Sequence, residues 1–329
     1  MNTTMQCPSL NDLPPPPPGK TGWPWTEESP QLPDTLPGGA SWPIISIVTP
    51  SYNQGCFIEE TIRSVLLQGY PNLEYIIIDG GSSDGSIDTI VKYEKWLTYW
   101  ISEPDRGQSH AIKKGFFKAT GDLLGWLNSD DIYLRNAFKQ IGITYKSNQN
   151  DIIAGNVINF EKETEKETII KQRKITLENM VKFWKHEHSW HQPGIFFPRS
   201  IYEIVDGIDE KLHFFMDHDL LCRLLQYCKV IYIEDSVAYF RLHETSKTCS
   251  IGDHMLYELI LVSKHYWPLI ESIDAIEANK QIGEMYAWSF MDRLHRRQLI
   301  PALKILKSAL KNNPKELTYA LLNKFRNIF

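Results

Sequence analysis

The chain contains 329 residues, which is long enough for one large domain or two smaller domains with a full hydrophobic core. Its 35 lysines and arginines are outnumbered by 40 acidic residues, and a net charge of -5 excludes the overall basic character of a nucleic-acid-binding protein. The composition, 42% hydrophobic and 23% charged, excludes disorder throughout the chain.

The cysteines and the absence of targeting signals indicate the compartment. Five cysteines without a C-x-x-C pair predict neither a disulfide framework nor a zinc knuckle. The first residues lack a basic start and an apolar stretch, and nowhere do about 18 apolar residues follow one another, as a membrane-spanning helix requires. We therefore expect a cytoplasmic protein.

Prolines are concentrated at the start of the chain. Eleven of the 19 lie between Pro8 and Pro43, and the run Pro14–Pro18 predicts an extended polyproline II segment. Two interpretations stay open, namely a binding site for a proline-recognising partner and an arm docked on the folded body. The second rests on three apolar side chains in this segment: Trp23, Trp25 and Trp42.

From Ile44 onward, short β-branched runs alternate with stretches of helical periodicity. Strands are predicted at Ile44–Thr49, Leu73–Asp79, Leu97–Ser102 and Leu123–Leu127. Helices are predicted between them at Phe57–Leu67, Ser86–Tyr93 and Ser109–Ala119. This alternation predicts an α/β fold with a Rossmann-like, mostly parallel sheet flanked by helices. Ligands bind at the carboxyl ends of the strands in such sheets, so the residues after each strand are the candidates for a site.

The second part of the chain has a mixed pattern and a helical end. It predicts a strand at Ile152–Phe160, an exposed hairpin or loop at Glu161–Lys174, a helix at Met216–Tyr227 and a strand at Val230–Ile233. Residues from His254 onward are predicted to be helical. The last part, Asp292–Phe329, carries a net charge of +7, so the remainder carries -12. This basic end could lie on an anionic membrane surface or pack on the catalytic body with a solvated basic face.

The ends of the first, second and fourth strands carry polar motifs. After the first strand Tyr52 offers a ring for stacking on a base, and after the second Asp79 offers an acceptor within a glycine-rich turn. Ordinary turns with capping serines are the alternative. After the fourth strand, Asp130 is a candidate ligand for a divalent cation that also binds diphosphate. The alternative is the beginning of a helix, where two adjacent acids such as Asp130 and Asp131 are common.

Taken together, these motifs resemble the successive blocks of the family 2 inverting glycosyltransferases, which have the GT-A fold. The order and spacing match over about residues 43–248. The resembling blocks are Thr49-Pro50-Ser51-Tyr52-Asn53, Asp79-Gly80-Gly81-Ser82-Ser83-Asp84-Gly85, Gly107-Gln108, Ala119-Thr120-Gly121-Asp122 and Leu127-Asn128-Ser129-Asp130-Asp131.

The resemblance implies a nucleoside-diphosphate-sugar donor, with a UDP-sugar favoured, and Mn2+ or Mg2+ held by Asp130 against the diphosphate. Asn128 stands where the family's D-x-D motif begins with an aspartate, and Ile112 stands where many relatives carry an arginine that contacts the diphosphate. The residues expected at the nucleotide sugar are Thr49, Pro50, Tyr52, Asp79, Arg106, Gln108, Lys113, Asn128, Ser129 and Asp130.

The resemblance also implies a catalytic base and a sugar site in the second half. Met216-Asp217-His218-Asp219-Leu220 is similar to the family's E-D-x-D/E-L block, which makes Asp217 the expected general base. Helix capping by these acids is the alternative. His243 is expected at the metal or diphosphate, with a surface histidine as the alternative. The residues expected at the acceptor or donor sugar are Asp131, His191, Gln192 and Asp219.

These observations predict three regions: a proline-rich N-terminal arm (1–43), a GT-A catalytic domain (44–250) and a helical, basic C-terminal extension (251–329). Within the catalytic domain, 44–135 would bind the nucleotide sugar and 136–250 the acceptor. The predicted function is metal-dependent, inverting transfer of a sugar to a hydroxyl of a saccharide or lipid-linked saccharide, without a nucleic-acid partner. Peripheral membrane contact through the basic helices and packing of those helices on the catalytic domain both stay open. The alternatives are a nucleotide-sugar-binding scaffold without turnover and a sugar nucleotidyltransferase.

Overall fold

The computed structural model describes residues 7–161, 166–243 and 253–326, and these residues form two units. The first unit contains the described residues up to 175 and residues 189–243. The second contains residues 176–188 and the described residues from 253 onward. The domain boundary expected between residues 250 and 251 lies outside the described residues.

Four parallel strands make the first half of the sheet in the first unit, in the spatial order β3-β2-β1-β4. They are β1 (Ile45–Ser51), β2 (Leu73–Asp79), β3 (Tyr99–Ser102) and β4 (Leu123–Trp126). Every residue of β1 and β2 is buried, as expected of strands covered on both faces. The helices that join the strands are α1 (Ile58–Leu66), α2 (Ser86–Tyr93) and α3 (Gln108–Lys118).

The sheet continues from β4 with strands of both directions, in the order β4-β8-β6-β9-β5, and β7 pairs with β6. These strands are β5 (Ile132–Tyr133), β6 (Ile152–Glu161), β7 (Lys166–Ile170), β8 (Ile195–Pro198) and β9 (Val230–Leu242). β6 and β9 are parallel, whereas β8 is antiparallel to both β4 and β6. The helices in this part are α4 (Ala137–Ser147), α5 (Leu177–Val181, in the second unit), α6 (Arg199–Ile204) and α7 (Met216–Leu224).

The predicted fold class is confirmed, and the largest differences from the predicted element bounds are in β9 and α7. The strand predicted to end at Ile233 runs on to Leu242, because β6 continues to pair with it past a register shift at Asn156. The helix predicted to reach Tyr227 ends at Leu224. In the segment predicted as a hairpin or loop, β7 pairs antiparallel with β6, and residues 162–165 lie outside the described residues.

The described part of the proline-rich segment is docked on the α/β core. Trp25 and Trp42 are buried, and Trp42 belongs to the main hydrophobic core. The fully buried guanidinium of Arg63 on α1 donates hydrogen bonds to the carbonyl oxygens of Pro14, Pro24 and Trp25 at 2.8, 3.0 and 3.0 Å. The buried Arg63 guanidinium thus binds this segment to α1, and Trp42 packs it into the main core.

The second unit is helical. Its helices after α5 are α8 (Asp253–Tyr266), α9 (Ala275–His295), α10 (Leu299–Asn312) and α11 (Pro314–Arg326). Residues 176–188, which the sequence prediction assigned to the acceptor half, pack with these helices, since Phe183 lies in their core and Ser263 Oγ donates to the Val181 carbonyl at 2.7 Å. Among the described residues, no helix is long and apolar enough to cross a membrane.

Candidate active site

The carboxyl ends of β1, β2 and β3 meet at the Asp79 carboxylate. Ser51 and Ser82 hydroxyls donate to Oδ1 at 3.0 and 2.5 Å, and the Ser102 hydroxyl donates to Oδ2 at 2.7 Å. The N–H groups of Gly81 and Ser82 also donate to Oδ2. Burial raises the pKa of Asp79, but these hydrogen bonds outweigh it and the pKa lies below its ordinary value. A base N–H would have to replace one of these donors.

Tyr52 is an accessible aromatic residue at this edge. Its side chain is 62% exposed, whereas Thr49 and Pro50 are buried within β1. A Cβ at Gly80 would lie 3.2 Å from Tyr52 Cδ2 and 2.8 Å from Asp105 Oδ2, so a larger residue would displace one of them. Of these three predicted donor-site residues, Tyr52 presents a surface for stacking, and Thr49 and Pro50 support the strand beneath it.

The loop that follows β4 is held by a chain of hydrogen bonds. Gln108 Nε2 donates to Asn128 Oδ1 at 2.8 Å, and Asn128 Nδ2 donates to Asp131 Oδ2 at 3.3 Å. Asp131 Oδ1 accepts the backbone N–H of Arg241 at 3.0 Å. Burial, followed by the adjacent Asp130 carboxylate, raises the pKa of Asp131 well above its ordinary value. The buried Asp131 side chain therefore stabilises the conformation of this loop through its hydrogen bonds.

Asp130 and His243 form the candidate metal site. Asp130 Oδ2 lies 3.0 Å from His243 Nε2, and the two side chains are 19% and 10% exposed. This separation is within hydrogen-bond distance, and the carboxylate and the imidazole are the two side chains that would hold a divalent cation here. Ser129 is buried, and its carbonyl accepts a hydrogen bond from Thr61 Oγ1.

The described residues contain no group of three or more histidines, cysteines or acids arranged to hold a metal. Asp130 and His243 are two candidate ligands, and Mg2+ in proteins commonly takes its remaining ligands from phosphate oxygens and water.

Arg241 holds the candidate metal site together, and sequence reasoning assigned it no role. The side chain is 5% exposed; Nε donates to the Asp130 carbonyl at 2.9 Å, and Nη2 pairs with Glu60 Oε2 at 2.9 Å. The guanidinium lies 5.0 Å from the centre of the Phe57 ring, and that ring lies 4.8 Å from the imidazole of His243. One signal was visible in the sequence, since Arg241 directly follows the apolar run Val237-Ala238-Tyr239-Phe240.

Asp217 lies in the first turn of α7. It is partly exposed, and its Oδ1 accepts the backbone N–H of His218 at 2.7 Å. The buried His218 ring contacts the rings of Trp190 and Phe215, each at a centroid distance of 6.1 Å. These ring contacts bring the beginning of α7 next to the segment that contains the predicted sugar residues.

Asp219 is held by an ion pair on the same helix. Its Oδ2 accepts from Nε and Nη2 of Arg223 at 2.9 and 2.7 Å, and Nη1 of Arg223 donates to the carbonyl oxygens of Val205 and Gly207. The carboxylate is 13% exposed. Asp219 thus anchors α7 to the preceding turn.

His191 and Gln192 lie between β4 and β9. The His191 ring stacks on the Phe240 ring with a centroid distance of 5.1 Å and an interplanar angle of 7°. Burial lowers the pKa of His191 to about 4, so the ring is neutral at physiological pH. Gln192 Nε2 donates to the Trp126 carbonyl at 2.8 Å, and its Oε1 is buried without a hydrogen-bond partner in the described part of the chain.

Arg106 and Lys113, the two cations expected at the diphosphate, both face Glu210. Arg106 forms an ion pair with its carboxylate, and Lys113 Nζ lies 3.9 Å from Oε1. The Arg106 side chain is 71% exposed, so this contact is easily exchanged for an anionic ligand. Ile112 is fully buried on α3, so that position faces the core and not the diphosphate.

The chain is similar in sequence to known glycosyltransferases. The model of glycosyl transferase family 2 matches residues 46–204. An uncharacterized glycosyltransferase of Rickettsia typhi is 26% identical over 211 residues, which cover 63% of this chain and 66% of that protein. One from Mycobacterium tuberculosis is 40% identical over 92 residues, which cover 28% of this chain and 35% of that protein. The chain thus spans slightly less than two thirds of the Rickettsia relative.

A solved structure shares the fold. The crystal structure of S. aureus TarS 1–349 in complex with UDP-GlcNAc superposes with a TM-score of 0.58 at 16% identity, over 75% of this chain and 73% of that chain. Its likeness concerns the arrangement of strands and helices. The sequence match therefore assigns residues 46–204 to glycosyl transferase family 2, and the structural likeness shows that the fold is GT-A.

Proposed function

We propose that the chain transfers a sugar from a nucleoside diphosphate, with a UDP-sugar favoured, to a hydroxyl of a saccharide or lipid-linked saccharide, with inversion. The observation that carries the proposal is the 3.0 Å pair of Asp130 and His243 at the edge where β1, β2 and β4 end. In open α/β sheets this edge is where ligands bind. TarS, which shares the fold, was solved with UDP-GlcNAc.

The donor would lie across the strand ends. Tyr52 stacks on the base, and the Asp79 carboxylate contacts the base or ribose in exchange for one of its present donors. Arg106 and Lys113 leave Glu210 and pair with the diphosphate. The loop after β4 lies beneath the ribose and diphosphate. It is held there by the hydrogen bond from Gln108 to Asn128 and by the bond that the Ser129 carbonyl accepts from Thr61.

Asp130 and His243 would hold Mn2+ or Mg2+. The bound cation offsets negative charge on the leaving diphosphate. Arg241 keeps the backbone of Asp130 fixed, and the Phe57 ring holds the imidazole of His243 against it. Both ligands are therefore oriented before a cation arrives.

Asp217 would act as the general base. The acceptor hydroxyl attacks the anomeric carbon from the face opposite the nucleotide, its proton passes to the Asp217 carboxylate, and the bond from carbon to the diphosphate oxygen breaks. His191 and Gln192 contact the transferred or acceptor sugar. We assign Asp131 and Asp219 supporting positions in place of the predicted sugar contacts, because both carboxylates are largely buried and bonded within the chain.

The experiment compares Asp130→Ala and Asp217→Asn with Asp88→Asn, an exposed aspartate on α2 of the same unit. With a nucleotide-sugar and acceptor panel and Mn2+, Asp217→Asn should lower kcat by about 100-fold or more while donor binding by calorimetry persists. Asp130→Ala should weaken Mn2+ binding. Full activity in either variant would remove the corresponding role.

The product distinguishes the alternatives. An inverting transferase releases nucleoside diphosphate and forms the opposite anomer, which NMR identifies. Release of pyrophosphate from a nucleoside triphosphate supplied with a sugar 1-phosphate would indicate a nucleotidyltransferase. Donor binding without turnover for any acceptor would indicate a scaffold. We further propose a cytoplasmic enzyme whose C-terminal basic helices contact the inner face of the membrane.

A further inference from the structure

Helix α10 has an exposed apolar stripe on the side that does not pack in its unit. Its buried residues, Ala302, Ile305 and Ala309, belong to one face. A different face carries Leu299, Leu303 and Leu310, whose side chains are 51–64% exposed. At 3.6 residues per turn, these three side chains lie within about 40° of one another around the helix axis.

Lysines border this leucine stripe. On the same helical geometry Lys304, Lys307 and Lys311 lie beside it on one flank, together with Ile300, which is 71% exposed. All three lysines are exposed, and the described contacts include no ion pair to any of them. An exposed helix face that places leucines next to unpaired lysines is typical of helices that lie in a membrane interface.

We propose that this face of α10 docks on an anionic lipid surface, with the leucines in the acyl boundary and the lysines at the headgroups. A second copy of the chain fits less well, because residues 292–329 carry a net charge of +7 and two such faces would repel each other. An anionic bilayer supplies both the apolar phase and the opposite charge. The inference concerns the second unit by itself and does not depend on the transfer chemistry.

Vesicle flotation of the full chain tests this surface. Vesicles contain phosphatidylcholine with or without about 30 mol% phosphatidylglycerol. Wild-type protein should float with the anionic vesicles, and flotation should fall as salt rises from about 0.05 to about 0.5 M. The two test variants each remove one component of the face: L299S/L303S/L310S and K304Q/K307Q/K311Q.

Each variant should bind about 100-fold more weakly, because each lysine near an anionic surface contributes a factor of about five and each partly inserted leucine a similar factor. Ile276→Ser, at an 84% exposed position of α9, and the exposed-lysine variant K92Q/K146Q/K280Q are the matched controls and should bind like wild type. Circular dichroism confirms the fold of every variant.

Wild-type protein that stays unbound, or test variants that bind like the controls, would overturn the proposal. So would a wild-type dimer that dissociates only in the leucine variant, because the face would then join two copies. Transfer to a water-soluble acceptor should be unchanged in both test variants, so a failure here is distinguishable from a failure of the proposed catalytic function.

Discussion

Replacing Arg241 with methionine tests whether this residue holds the candidate metal site together. The change leaves the Glu60 carboxylate and the Asp130 carbonyl without their guanidinium donor at 2.9 Å. Removing one partner of a buried ion pair costs about 3–5 kcal/mol. Since the Glu60 side chain keeps 19% exposure, we expect the lower part of this range, about 3 kcal/mol of unfolding free energy.

Urea unfolding followed by tryptophan fluorescence measures the loss, and a double-mutant cycle with Glu60→Gln isolates the pair. The matched control is Arg135→Met, since Arg135 pairs with Glu27 at the same 2.9 Å in the same unit with side chains 44% and 48% exposed. That exposed pair should contribute no more than about 1 kcal/mol. An Arg241→Met loss no larger than the control's, or a coupling energy near zero, would refute the reasoning.

Two further predictions concern buried packing around the site. Because burial lowers the pKa of His191 to about 4, the unfolded chain binds more protons between about pH 6.5 and 4, so stability should fall by up to about 3 kcal/mol as the pH drops through this window. His191→Phe keeps the stack on Phe240 and should flatten this part of the urea-stability profile; an unchanged slope contradicts the assignment. Gly115→Ala places a Cβ 2.3 Å from Val48 Cγ1, so it should destabilise the first unit by about 1–3 kcal/mol in urea unfolding. Adding Val48→Ala should recover part of that loss, and no recovery would mean that the helix backbone yields instead.

The elements that the sequence predicted well are local in origin. The bounds of β2 and α2 agree with their predictions, because β-branched runs and helical periodicity are read within a few residues. Tyr52 was predicted to be accessible for stacking, and it is exposed. The role of Asp79 was harder to foresee, because its hydroxyl donors come from three strand ends that only the sheet brings together.

Contacts between residues far apart in the chain also explain why the buried residues that support the candidate metal site could not be predicted from the sequence. Glu60 and Arg241 are 181 residues apart, and Arg63 bonds to carbonyl oxygens of the docked N-terminal segment. Ile112 could be identified as a departure from the family pattern, but its burial on α3 depends on packing against the sheet. Motif spacing locates chemical groups along the chain and carries no information about which buried partner each one meets.

The unexpected length of β9 is what completes the site. In the antiparallel pairing of β5 with β9, Ile132 lies opposite Tyr239 and Tyr133 opposite Ala238. Continuing that register by two residues places Asp130 opposite Arg241, which agrees with the 2.9 Å bond between them. If β9 ended at Ile233, no strand pairing would position Arg241 and His243 opposite the Asp130 loop. The pairing along β6 and β5 therefore determines that His243 meets Asp130, and a substitution that shifts the register of β9 by one residue would separate the two candidate metal ligands.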